Sequence, residues 1–539
     1  MKKHRIRKSL IAVFMMIVLG ITGCSSSSDT PAAPDTSAAS DSSSESSEAV
    51  DTAEADAADT KAADSDVITM DIFMDFTWMP VDSFEGIIPE EITRQTGVTL
   101  DATFALDYNQ LGVMASSGEL PDLVWTQNMI DRLSNGDICY SIEDLIEEYD
   151  IDWDITPQQL GIARGLSSDG KAYTILNHVS TKEDWVGKSS VPMVGTILFR
   201  KDLMDAIGNP EEGVNDLDDF YDLLAAAHEA YPDMTTLSLD EYWNINVFRA
   251  LTGMGTTDFM EQEDGSYVHY IKDSRWEDIM LMLNKCYRSG FLNTDAAYFV
   301  PGNKVITADM YVFATSSTQN GITGANADLK KVVPDGVFHE MMPWDSANYL
   351  VSDFGWAGLF IPKTTKDPKA AIELMAWMFT PEAQTLTQMG REGYEYTVDE
   401  NGQVTFSDEW LQAMDDGTHN TKYNPYFYFG GSETVESDSR CSGHDPEWTA
   451  EPYKIMRERY DNYPWIQAAL PVGDTDEKMI WDTYKELLDT YQHRIILAGS
   501  EEEALSLIDE FRDNAEKVGL SELEEYMTEK IAEIMPLYS

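Results

Sequence analysis

From Val67 onward, short apolar runs alternate with amphipathic ones, which restricts the chain to strand and helix in succession. "VITMDIFMDFTW" (Val67 to Trp78) alternates loosely and predicts a strand. "SFEGIIPEEITRQTG" has helical spacing closed by Gly97, and "VTLDATFAL" predicts a second strand. "QLGVMASSGELPDLVWTQN" reads as a helix, a turn and a buried strand at "DLVW". "YSIEDLIEEYD" predicts a helix with Ser141 at its N-cap and Asp144 three residues on, and "DGKAYTIL" a turn followed by a strand. "VGTILFRKDLMDAIG" passes from strand to a helix ended by Gly208, and "LDDFYDLLAAAHEAYP" is a helix stopped by Pro232. "WEDIMLMLNKCYRSGFL" sets Ile279, Met282, Leu283 and Cys286 along one side of a helix, a stripe expected in a core. Beyond "DPKAAIELMAWMFTPEAQTLTQMG" the pattern is mostly helical, and no internal repeat is visible. Alternation of this kind predicts an α/β class with substantially parallel sheets.

The first 66 residues do not share this pattern. Lys2, Lys3, Arg5, Arg7 and Lys8 precede "LIAVFMMIVLGIT", a stretch shorter than the roughly 20 residues needed to span a bilayer. A charged start, a short apolar run and a small-residue exit predict a signal peptide over residues 1–23. From Ser25 to Asp66 the chain is Ser, Ala, Asp, Thr, Glu and Pro apart from Val50 and Lys61, with no aromatic residue, too polar to bury a core. It is expected to be a disordered acidic tether, with a mean span on the order of 35 Å if fully flexible.

The formal charge is −59, and removing the five basic residues of the leader takes it to about −64. Such a surface opposes nucleic acid and anionic membrane, both of which need basic patches. Cys139, Cys286 and Cys441 are odd in number, far apart and without zinc-ligand spacing, so they are expected to be unpaired. There is no GxSxG, HExxH or strand-borne GxGxxG, and "GKSS" at 187–190 lacks the earlier glycine of a phosphate loop. No catalytic residue, cofactor or metal is therefore predicted. The "YPDMTTLSLDEYWN" stretch lacks an alternating-acid calcium pattern, and "DENGQ" at 399–403 reads as a hairpin turn.

Two resemblances add to this reading. "ITGC", ending at Cys24, resembles a bacterial lipobox, which implies lipidation of Cys24. At about 0.8 kcal/mol per buried CH₂, the two chains of a diacylglyceryl group hold a protein stably at a bilayer. Seven motifs in order carry the second: "ASSGELPDLVW", "DGKAYTIL", "TILFRKDLMDAIG", "YRSGFLNTD", "GLFIPKTTKDPKAAIELMAWMFTPEAQ", "GREGYEYTVDENG" and "ILAGSEEEALSLIDEFRDNAEKVGLSELEEYM". Together they resemble the lipoprotein solute-binding proteins of Gram-positive carbohydrate ABC importers, relatives of maltose- and alginate-oligosaccharide-binding proteins. The resemblance covers nearly all of 67–539. It implies a periplasmic-binding-protein-like type II fold, two α/β lobes with a hinge and an interlobe ligand cleft. Lobe 1 is expected at about 67–185 and 352–392, and lobe 2 at about 186–351 and 393–539.

It also implies a monomeric receptor on the extracellular face of the cell membrane, with an oligosaccharide, permease subunits and the lipid bilayer as partners. A receptor for a peptide or other small molecule, and a secreted glycan-degrading enzyme, remain alternatives. Sugars present apolar faces rimmed by hydroxyls, so a site needs aromatic platforms beside carboxylates, amides or guanidinium groups. Aromatics next to polar residues near strand ends supply the candidates: Asp75 and Trp78; Trp125, Gln127 and Asn128; Glu241, Tyr242 and Trp243; Asp353 and Trp356. Glu241 and Tyr242 stand where maltose-type binders carry a sugar-contacting pair. Arg200 is a candidate for a ligand carboxylate or a partner for Asp202, and Tyr394 lies near an expected crossing.

Overall fold

The computed structural model describes residues 67–240, 244–292, 299–300, 311–318, 321–399, 404–425, 430–441, 446–473 and 475–538. The signal peptide, Cys24, the tether and the candidates Glu241, Tyr242 and Trp243 lie outside the described residues.

The first half is built on the parallel strands Ile68–Met74, Val98–Phe104 and Leu123–Thr126, with the first of them in the middle. A fourth strand, Gly358–Phe360, adds antiparallel to Leu123–Thr126 after more than two hundred intervening residues. Side chains alternate across this sheet. Met70, Ile72, Met74, Leu123, Trp125 and Leu359 enter one core, while Phe73, Val124 and Phe360 enter the other. Burial on both faces explains why these strands read as nearly continuous apolar runs.

The helices end where local chemistry stops them. Ile87–Thr96 closes on Gly97 at φ 72°, whose N–H returns to the Thr93 carbonyl. Ser141 Oγ accepts the Asp144 N–H at 3.3 Å, the cap expected from the sequence. "DGKAYTIL" departs from expectation: it makes a single bridge, Leu176 to Gly358, instead of a strand. Thr174 spends its hydroxyl on the Leu359 carbonyl at 2.8 Å, so a side chain replaces part of the backbone ladder.

The second half carries a five-stranded sheet in the order Phe338–Glu340, Gly195–Arg200, Tyr311–Ser317, Thr235–Asp240, Phe299–Val300. Its first two pairings are antiparallel and the other two parallel. The expectation of largely parallel sheets therefore holds for the first sheet and not for the second. Ile197 and Phe199 face the larger core with helix Ser274–Arg288, whose Ile279, Met282, Leu283 and Cys286 are buried there. Leu198 faces helix Gly321–Val332 on the other side.

The chain leaves the first sheet after Leu176 and opens the second at Gly195. It returns at Gly358. The second departure comes after Tyr423. Trp410, Ala413 and Tyr423 belong to the core of the first sheet, and the larger core is rejoined at Tyr453. Helix Asp408–Asp415 and Tyr423 thus stay with the first half. The helical pattern of Asp408–Asp415 is the same whichever core it covers, so periodicity carried no signal for the boundary. A short parallel pair, Tyr349–Val351 with Tyr460–Asn462, lies where the passages between halves meet.

Candidate functional site

The three parallel strands of the first sheet all point their C-terminal ends to one edge, where successive loops converge. The antiparallel strand brings residues 353–357 to that same edge, since Gly358 pairs with Thr126.

Asp75 follows directly after the first strand and is fully buried; its N–H donates to the Trp125 carbonyl at 2.9 Å. Its Oδ2 accepts from the Thr126 hydroxyl at 2.7 Å and from Asn128 Nδ2 at 3.0 Å, while Oδ1 has no hydrogen-bond partner. Burial raises the Asp75 pKa above the ordinary carboxylate range, against the pull of Asn128 and Thr126. With Nδ2 held by Asp75, half-buried Asn128 keeps its amide oxygen as a further acceptor. Gln127, also half-buried, lies between Thr126 and Asn128.

Beside this polar group stands an aromatic cluster. Phe76 lies 4.7 Å from Trp125 and 5.6 Å from Trp356, centroid to centroid. Trp78 lies 5.5 Å from Phe76 and 6.1 Å from Trp356. Trp125 and Phe76 are buried and form the floor, whereas Trp78 is 47% exposed and Trp356 half-buried. The outer pair presents apolar ring surface to solvent above a fixed set of hydrogen-bonding groups. This arrangement suits a ligand with an apolar face and a hydroxylated rim.

Trp356 is placed by a turn that only glycine allows. Gly355 sits at φ +95°, and a Cβ there would lie 2.2 Å from the Asn177 carbonyl oxygen. Asn177 clamps the same turn, its Oδ1 accepting the Ala357 N–H at 3.0 Å.

His178, 6.2 Å from the Trp356 ring, opens a buried polar hub where passages between the halves meet. Its ring pairs with Glu436, which also receives Arg440 at 2.5 Å. Burial opposes charging His178, but the carboxylates of Glu436, Glu433 and Asp353 outweigh it and raise the pKa. Burial likewise opposes ionising Glu436, yet Arg440 and His178 hold it down at about 2. Glu433 accepts from Ser180 Oγ and from the Met193 N–H at 2.8 Å. Burial and the nearby Asp353 push Glu433 up to about 7. The Asp353 carboxyl accepts the Gly355 N–H at 2.9 Å, and burial raises its pKa too. Asn462 ties the hub together, its amide donating to the carbonyls of Ser180 and Asp353, both at 2.8 Å.

The structure thus brings together Asp75, Trp78, Trp125, Asn128 and Trp356 at one edge, with Asp353 in the adjoining turn. Arg200 stands elsewhere. It ends its strand opposite Phe338, and its guanidinium is taken up by Asp202 at 2.7 Å, whereas the Gly195 end of the strand adjoins the hub. Tyr394 is 72% exposed, with Arg391 4.8 Å from its ring centroid. Phe76, Thr126, His178, Ser180, Glu433 and Glu436 were not among the sequence candidates. Phe76 and Thr126 lie inside the quoted "DFTW" and "WTQN" motifs, so their position at strand ends was the available signal.

The model of the bacterial extracellular solute-binding protein family matches residues 89–396, more than half of the chain, and the chain belongs to that family. Its members bind solutes and do not transform them, so the family makes the protein a receptor. Solved structures share the fold at low identity. The alginate-binding protein AlgQ2, crystallised without calcium ion, aligns with TM-score 0.62 and 17% identity over 86% of this chain and 98% of its own. The Streptococcus pneumoniae ABC-transporter substrate-binding protein FusA, in complex with kestose, gives TM-score 0.61 and 15% identity over 87% and 99%. An HMO-binding, ABC-transporter-associated protein of Bifidobacterium longum infantis gives 0.60 and 13% over 86% and 98%. No curated protein sequence matches significantly.

Proposed function

We propose that this protein is an extracellular receptor, anchored through lipid on Cys24, that captures an oligosaccharide and delivers it to an ABC permease. The carrying observation is the exposed Trp78–Trp356 pair over the Asp75–Thr126–Asn128 group. Ring faces take the C–H surface of a pyranose, and the buried carboxyl and amide take its hydroxyls. Support comes from the family and from structural neighbours described as binding alginate, kestose and HMO. The hub of His178, Glu433, Glu436 and Asn462 joins segments of both halves, so it is suited to act as a hinge. Ligand contacts made from both sides would then favour a closed state, which the permease distinguishes from the open one.

The purified full chain should show a rise in melting temperature and a change in Trp fluorescence with a cognate glycan, by mass action. A panel of plant, host and microbial oligosaccharides that produced neither change at millimolar concentration would overturn the sugar reading. Release of altered sugar during the incubation would overturn the receptor reading.

A further inference from the structure

We infer that the site selects uncharged glycans and refuses acidic ones, because the loops that build it in the first half supply carboxyl groups and no cation. The inference rests on the sugar reading above and names the substrate class within it.

The loops that meet at the aromatic edge are residues 75–86, 105–109, 127–129 and 352–357. They contain Asp75, Asp82, Glu85, Asp107 and Asp353, and not one Lys, Arg or His. Among the described residues of the joining passages, the cations other than the exposed Lys182 are engaged. His178 and Arg440 both pair with Glu436. Lys188 meets Asp438 at 2.7 Å, and Arg457 donates to the carbonyls of Ser189 and Ser190 at 2.9 and 2.8 Å. Lys182 is exposed in a surface turn, and Arg200 is held by Asp202.

The hydrogen-bonding character points the same way. Asp75 Oδ1 is buried and unpartnered, so it calls for a donor. A sugar hydroxyl supplies one, while the carboxylate group of a uronate, or a sulfate group, offers only acceptors and a like charge at neutral pH. The formal charge of −59 makes the chain as a whole repel an anionic ligand.

The test titrates the full chain, at pH 7.5, with neutral oligosaccharides (malto-, cello-, manno- and fructo-oligosaccharides) and with oligogalacturonate and oligoalginate of matched length. Calorimetry and Trp fluorescence are read at 20 and 500 mM salt. The best neutral ligand should bind with a Kd that changes less than about twofold with salt. The acidic series should bind at least about tenfold more weakly than it. Asp75→Asn should narrow that gap by weakening neutral ligands more than acidic ones, whereas Trp78→Ala should weaken both alike. An acidic glycan that bound as tightly as any neutral one, and weakened with salt, would overturn charge selection and leave the sugar receptor standing. Failure of every glycan would remove the sugar reading, and this inference with it.

Discussion

At the scale of single residues, exposure separates binding from stability. Trp78 is 47% exposed and Trp125 fully buried, yet both belong to one aromatic group. Trp78→Ala should therefore weaken the cognate glycan by at least about tenfold, or roughly 1.4 kcal/mol, while stability shifts by under about 0.5 kcal/mol. Trp125→Ala should instead cost about 3–5 kcal/mol of stability, readable as a lower urea midpoint. Glu433 gives a pH signature. Its pKa in the folded protein is about 7, above the ordinary value of 4.5, so the folded state holds the proton more tightly than the unfolded one. Its contribution to stability is full below pH about 4.5 and is lost as pH rises through about 7. Melting temperatures should fall over that window, and Glu433→Gln should flatten the fall. Glu436 acts in the opposite sense, its contribution being lost as pH drops from about 4.5 through about 2.

At the scale of elements, the turn before Gly358 is the most demanding. Gly355→Ala would force a Cβ against the Asn177 carbonyl at 2.2 Å and strain a backbone at φ +95°. A loss of more than about 2 kcal/mol is expected, together with a displaced Trp356 and weakened glycan binding. Ser141→Ala should cost only about 1 kcal/mol, because one capping hydrogen bond is removed. These two cases show what a sequence makes legible. Ser141, Gly97 and the stripe from Ile279 to Cys286 act through neighbours a few residues away, and local spacing revealed them. The strain at Gly355 arises from Asn177, far off in the chain, and nothing nearby announces it. Strand direction in the second sheet, and the core that Trp410 and Tyr423 join, are likewise settled by distant partners. Of the candidate site, "DFTW", "WTQN" and the Asp353 and Trp356 pair were legible near strand ends. The hub at His178 was not, because its acids come from a helix more than two hundred residues away.

At the scale of the whole molecule, the expected anchor can be tested directly. Cys24→Ser should move the protein from the membrane fraction to the medium and abolish incorporation of labelled fatty acid, with glycan affinity unchanged. The chain also passes between its two cores three times, over residues 177–194, 352–357 and 430–441. A backbone cut in the first of these passages, at the exposed Val186 and Gly187, would leave the earlier fragment gripped by the strand Gly358–Phe360 and the helix Pro368–Met378. Protease-nicked protein should accordingly split into two bands under denaturing electrophoresis, yet elute from a sizing column as one particle and keep its cargo. Repeated threading makes the joint tolerant of damage that would sever a receptor built on a single connecting strand.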